Sequence, residues 1–146
     1  MIVVLQRVTK AGVYVDSKCV GKIGRGFAML VGVTQEDTPD DALWLADKIL
    51  KLRVFEDKSG KMNLSIRDIQ GELLVVSQFT LCANLKKGRR PSFINAALPE
   101  KAQELIEQFR TFLANSGLRV ETGSFGAKML VEILNDGPVT FVIDTQ

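Results

Sequence analysis

The chain has 146 residues, 46% apolar and 25% charged, with a net charge of +2, enough for one domain with a real core and neither disordered nor repetitive in composition. Its longest clean apolar run, "FAMLVGV", is too short to cross a bilayer, and "MIVVLQRV" reads without the basic leader of a signal peptide, so a cytoplasmic location is expected. Histidine is absent, which excludes Ser-His-Asp and Cys-His catalysis and every His-bearing zinc site, and the two cysteines, Cys19 and Cys82, cannot close a thiolate site and read as small apolar fillers.

"VVLQRVTKAGVYVD" alternates as two strands or one long bent strand, with Val13 and Val15 on one face and Tyr14 and Asp16 on the other. "VGKIGRG" reads as a Gly-rich turn region and "FAMLVGVT" as a buried strand. "TPDDALWLADKILKL" predicts a helix capped by Thr38 and opened by Pro39, with Ala42, Leu45, Ala46, Ile49 and Leu52 at helical spacing. "RVFED" is strand-like, and "KSGKMNLS" reads as turn and loop. "GELLVVSQFTL" predicts a central strand, and "CANLKKGRRPSFINAAL" a polar loop longer than packing requires. A second helix follows in "PEKAQELIEQFRTFLANSG", with an apolar stripe of Leu105, Ile106, Phe109, Phe112 and Leu113 and a stop at Gly117. "LRVETGSFGAKMLVEIL" and "VTFVID" supply the last strands. The sum is an α/β (α+β-like) domain spanning 1–146: a curved, mostly antiparallel sheet or partial β-barrel covered by two main helices.

Four segments carry candidate chemistry. In "SQFTL", alternation would put Ser77 and Phe79 on one face and Gln78 and Thr80 on the other; hydroxyls and an amide at a strand end suit a cleft, or simply meet water. The loop residues Lys86, Lys87, Arg89 and Arg90 have no acid between Glu72 and Glu100, which suits phosphate contact or a solvated surface, and Phe93 would stack or pack. In "TGSFGAKM", Phe125 between two glycines is either presented to a flat ring or packed beside a bulge. "NDGPVT" interrupts the last apolar run as a turn or as a backbone device aimed at a ligand. A cis Gly137–Pro138 bond would turn both carbonyls toward nearly the same side.

Taken in order, "QRV" at 6–8, "KMNLS" at 61–65, "SQFTL", "RPSF" at 90–93, "TGSFGAKM" and "NDGPVTF" make a specific set. Over nearly its whole length the chain resembles the bacterial D-aminoacyl-tRNA deacylase family. The resemblance implies hydrolysis of the ester of D-aminoacyl-tRNA, and of mischarged glycyl-tRNA, by an obligate homodimer with no cofactor and no metal. It places Ser77, Gln78, Phe79 and Thr80 at the catalytic floor. Gly137 and Pro138 of the other subunit would reach in with a cis bond and reject the L enantiomer, with Arg7 donating to the carbonyls of their motif.

In this scheme the Ser77 hydroxyl and the backbone N–H groups near Phe79 and Thr80 stabilise the oxyanion. The 2′-hydroxyl of the terminal adenosine assists the water, and Gln78 orients the ester or the sugar. Thr80 as nucleophile is the disfavoured variant, because no base stands out beside it. Phe125 would wall the adenine, and Lys86, Lys87, Arg89 and Arg90 would meet the acceptor stem. The competing readings are a non-catalytic RNA-binding module, a purely structural dimer and, weakest, a metal-dependent hydrolase.

Overall fold

The computed structural model describes residues 1–86 and 88–146; the expectation for Lys87 lies outside the described residues. Strand β1 (Ile2–Val15) is a single element of 14 residues. One of its edges is shared by β3 (Gly26–Gly32), which pairs with residues 2–8, and β2 (Lys18–Ile23), which pairs with residues 11–15. Its other edge is lined by β8 (Leu130–Asp144). These three pairings are antiparallel, whereas β6 (Glu72–Ser77) joins β3 in parallel and β7 (Val120–Thr122) joins β6 in parallel, so the sheet is mixed.

The first hairpin closes at Asp16 and Ser17, both at positive φ (+47° and +64°). Two such residues match the twist of antiparallel strands, and a short polar Asp tolerates that region. The turn expected at "VGKIGRG" is therefore corrected: β2 runs through Ile23, and only Gly24 and Arg25 bend. Cys19 is exposed on β2 and is no core filler, while Cys82 is buried. The sheet curls toward closure at β2 and β7. A Cβ added at Gly21 would lie 2.5 Å from the Thr122 carbonyl oxygen, so only glycine admits this approach.

β6 explains why "LLVV" is continuously apolar. Leu73 and Val75 face a core shared with the helices, and Leu74 and Val76 face a second core inside the curved sheet with Val8, Ala11, Val13 and Ile23. Helices α1 (Pro39–Lys51) and α2 (Pro99–Ala114) cover the first core. Asp41 accepts hydrogen bonds from the Thr38 amide and hydroxyl at 2.8 Å, closing the N-terminus of α1. The buried positions of α1 are Ala42, Leu45, Ala46, Ile49 and Leu50, and those of α2 are Leu105, Phe109 and Leu113. Leu52 caps α1 and is only half-buried.

β4 (Arg53–Glu56) and β5 (Met62–Ser65) form a small separate ladder. Within "KSGKMNLS", expected as turn and loop, the segment Met62–Ser65 departs from that expectation. It is strand because the Asp57 carboxylate gathers the amides of Ser59 and Lys61 and the side chain of Asn63, folding the connection into a tight turn. Those hydrogen bonds, led by that of the Ser59 hydroxyl, hold the Asp57 carboxyl well below the usual range. Among the described residues no helix is long and apolar enough to cross a membrane.

Candidate active site

The site begins where β6 stops. Ser77 is the last residue of the strand, and residues 79–82 then form a 3-10 turn, with Leu81 N–H bonded to the Gln78 carbonyl and Ala83 N–H to that of Thr80. The expected alternation of residues 77–80 is thus corrected. The Gln78 amide still donates to the Val31 carbonyl of β3 at 2.7 Å, turn hydrogen bonds take over beyond it, and both Phe79 and Thr80 are exposed at the start of the turn. A helical turn leaves its first N–H groups without partners inside the turn, and Phe79 and Thr80 open this one directly after Ser77 and Gln78.

A cavity of about 510 Å³ opens here, lined among others by Val31, Ser77, Gln78, Phe79, Phe125 and Met129. Its walls are largely aliphatic, with the polar groups gathered at the end of β6, the arrangement expected where a flat or apolar ligand is oriented by a few polar atoms. Phe125 is exposed at the rim and lines both this cavity and an adjoining cleft of about 660 Å³, which favours presentation over core packing. The adjoining cleft carries Glu100, Glu104, Glu107 and Arg110 of α2. The Arg110 hydrogen bond lowers the Glu107 carboxyl from its ordinary value.

Gln78 donates from Nε2 to the Thr80 hydroxyl at 2.5 Å. An amide is no base, so this contact positions Thr80 without activating it. Phe93 packs edge-on against Phe79, ring centres 4.9 Å apart, and ties the basic loop to the turn. The loop is pinched at its base by Asn84 and Ser92, whose backbones exchange hydrogen bonds of 2.8 and 3.1 Å. Lys86, Arg89 and Arg90 project beyond this pinch, exposed.

Gly137 and Pro138 lie elsewhere. Gln6 pairs with Thr140 and Val8 with Asn135, so residues 136–139 of β8 stand opposite Arg7 alone. "NDGPVT" is therefore a bulge in a strand that continues, not a turn between two strands. The Gly137–Pro138 peptide is cis, and both residues are exposed. Arg7 is 6% exposed. Its Nε donates to the Asp136 carbonyl at 3.0 Å and its Nη1 to the Val54 carbonyl at 2.7 Å, so it holds the residue before Gly137. Neither cavity of the same chain is lined by Arg7, Gly137 or Pro138. The structure brings Ser77, Gln78, Phe79 and Phe125 together and leaves the bulge apart.

Two groups escaped the sequence reading. The Val54 carbonyl has no sequence signal. Asn135 had one, an Asn opening a Gly-Pro segment, and it holds the bulge by its side chain. Among the described residues, no three His, Cys, Asp or Glu side chains are grouped to hold a metal ion.

The family description D-Tyr-tRNA(Tyr) deacylase matches residues 4–144. The chain belongs to this family. It is 53% identical to the D-aminoacyl-tRNA deacylase of Bacillus velezensis, over 100% of this chain and 99% of that one. It is 54% identical to that of Thermotoga petrophila, over 99% and 97%. Among solved structures it superposes on the c-Myc DNA Unwinding Element Binding Protein with a TM-score of 0.93 and 43% identity, covering 100% of this chain and 99% of that one. A probable eukaryotic D-amino acid tRNA deacylase shares the fold, with a TM-score of 0.82 at 19% identity over 97% and 98% of the chains.

Proposed function

We propose that residues 1–146 act as one cytoplasmic unit that hydrolyses the ester of D-aminoacyl-tRNA, and of glycyl-tRNA, releasing the amino acid and tRNA. The observation that carries this reading is the 3-10 turn ending β6, which offers two backbone donors and the Ser77 hydroxyl at the mouth of a largely aliphatic cavity. Donors fixed where an oxyanion develops need no reorganisation during reaction, and an activated aminoacyl ester needs little more. The terminal adenosine enters the cavity against Phe125. Its 2′-hydroxyl assists the attacking water, Gln78 orients the ester or the sugar, and no cofactor takes part.

The bulge enters from a second copy. Among the described residues β8 pairs with β1 alone, and Leu130, Leu134, Phe141 and Val142 are exposed on it. A long open edge with exposed apolar side chains is a surface for another chain. In a homodimer, Gly137 and Pro138 of one copy reach the turn of the other. Their carbonyls accept from the substrate α-ammonium and leave no room for an L side chain, while a D side chain points to solvent. Glycine has no side chain to exclude.

The test is deacylation of matched D- and L-tyrosyl-tRNA, with a Thr80→Ala variant alongside. Selective loss of the D ester, largely preserved in the variant, is the expected result. Complete loss in a folded Thr80→Ala protein would restore Thr80 as a nucleophile, and equal loss of both enantiomers would remove the chiral filter.

The exposed basic loop favours a second reading, RNA binding without turnover. Neutralising Lys86, Lys87, Arg89 and Arg90 is expected to lower the slope of log affinity against log salt by up to about 3. Binding titrations over a salt series measure it. An unchanged slope would remove the loop from the RNA interface, and binding with no turnover of any charged tRNA would favour this second reading.

A further inference from the structure

Asn135 makes three hydrogen bonds that together replace the missing ladder at the bulge. Its Nδ2 donates to the Val139 carbonyl at 2.9 Å and to the Arg7 carbonyl at 3.3 Å, while its Oδ1 accepts from the Val139 amide at 3.1 Å. The side-chain amide thus pairs with both polar groups of one residue, as a neighbouring peptide would. It does so across the neck of the bulge, joining the residue where β8 leaves the register to the last residue before it returns. Arg7 secures the Asp136 carbonyl. Between these two anchors only Gly137 and Pro138 are left exposed.

We infer that Asn135 is a positioning residue for enantiomer selection, setting the place of the Gly137–Pro138 carbonyls through this amide clamp. The inference rests on the proposed role of the bulge. The clamp needs a primary amide. Aspartate keeps an acceptor for the Val139 amide but sets its second oxygen against two carbonyls, and alanine leaves all three backbone groups unpaired. Val139 is buried and Asn135 half-buried, so water replaces the lost bonds poorly.

The experiment compares single-turnover rates on D- and L-tyrosyl-tRNA for the wild type, Asn135→Asp, Asn135→Ala and a control, Val3→Ala. The control removes buried core volume away from the bulge and lowers general stability. Both Asn135 variants are expected to lose at least about tenfold in the D-to-L rate ratio, since displacements near 1 Å can cost a hundredfold in rate. Their mass in solution and circular dichroism should match the wild type, and Val3→Ala should keep the wild-type ratio at a lower melting temperature. Asn135→Asp is nearly isosteric and reports even where Asn135→Ala fails to fold. A wild-type ratio in Asn135→Asp, or a ratio that falls equally in Val3→Ala, overturns the inference. A wild type that does not distinguish the enantiomers shows instead that the filter itself is wrong, and the inference falls with it.

Discussion

A Gly137→Ala variant is expected to lose about a hundredfold or more of its D-aminoacyl-tRNA hydrolysis while it still folds. The added Cβ would lie 2.3 Å from the Val139 amide nitrogen and 2.7 Å from Val139 Cγ2. Real contacts to Cβ are never that short, so the bulge must move. Val139 is held by the Asn135 side chain through both its amide and its carbonyl. Relief therefore falls on the exposed pair of residues that the proposed selection depends on. The bulge protrudes from the sheet and contributes little to either core, so the melting temperature should fall by only a few degrees. Single-turnover rates on D-tyrosyl-tRNA and a thermal melt measure the two effects. A wild-type rate would mean that the geometry at residue 137 is not used in catalysis.

An Arg7→Ala variant should lose both stability and activity. Arg7 is almost wholly buried and its guanidinium serves two carbonyls on separate elements, Asp136 in the bulge and Val54 in β4. Removing it leaves both acceptors short of donors and takes away the packing of its stem. Together these cost roughly 2–4 kcal/mol. For a chain of this size that is a drop in melting temperature of roughly 10 °C. The Asp136 carboxylate, 3.3 Å from Nε and partly exposed, adds little because solvent screens it. Arg7→Lys should recover only a part, since one ammonium cannot fork to two carbonyls as a planar guanidinium does. Thermal melts of the three proteins test this. A melting temperature within a degree or two of the wild type in Arg7→Ala would show that water replaces both bonds.

The two substitutions separate what the bulge contributes. Gly137 acts on the shape of a surface feature and should spare the fold. Arg7 joins that feature to the strand beyond α1 and should affect both. Asn135 lies between them, since its bonds are local to the neck of the bulge but satisfy backbone groups that are poorly solvated.

Much of the fold was legible in the chain because local signals agreed with the tertiary result. Thr38, Pro39 and the 3.6-residue spacing of α1 state a helix start and its buried face without help from the rest of the molecule. The apolar run of β6 announced a strand buried on both sides, and the gap in acids from Glu72 to Glu100 marked the basic loop. Where the reading failed, a few hydrogen bonds outweighed composition. Glycines at 21 and 24 suggested a turn, but Asp16 and Ser17 had already closed the hairpin, and Gly21 is there for the approach of Thr122. Asp57 converted an expected loop into a paired strand by collecting donors from three residues.

For the site, the sequence by itself determined which groups exist: no histidine, the "SQFTL" hydroxyls and amide, the loop cations, and glycine beside proline near the C-terminus. Residue type and local spacing suffice for that, and they also sufficed to indicate the family. The tertiary structure alone decided how those groups are presented. It ended β6 at Ser77 so that Phe79 and Thr80 open a 3-10 turn, and it set residues 136–139 opposite Arg7 as a bulge. It also supplied the carbonyls of Val54 and Asp136 that make Arg7 a buried tie. The physical reason is that backbone carbonyls and amides are the same in every residue. Their direction comes from strand register and turn geometry, which long-range pairing settles and local side-chain spacing alone does not show.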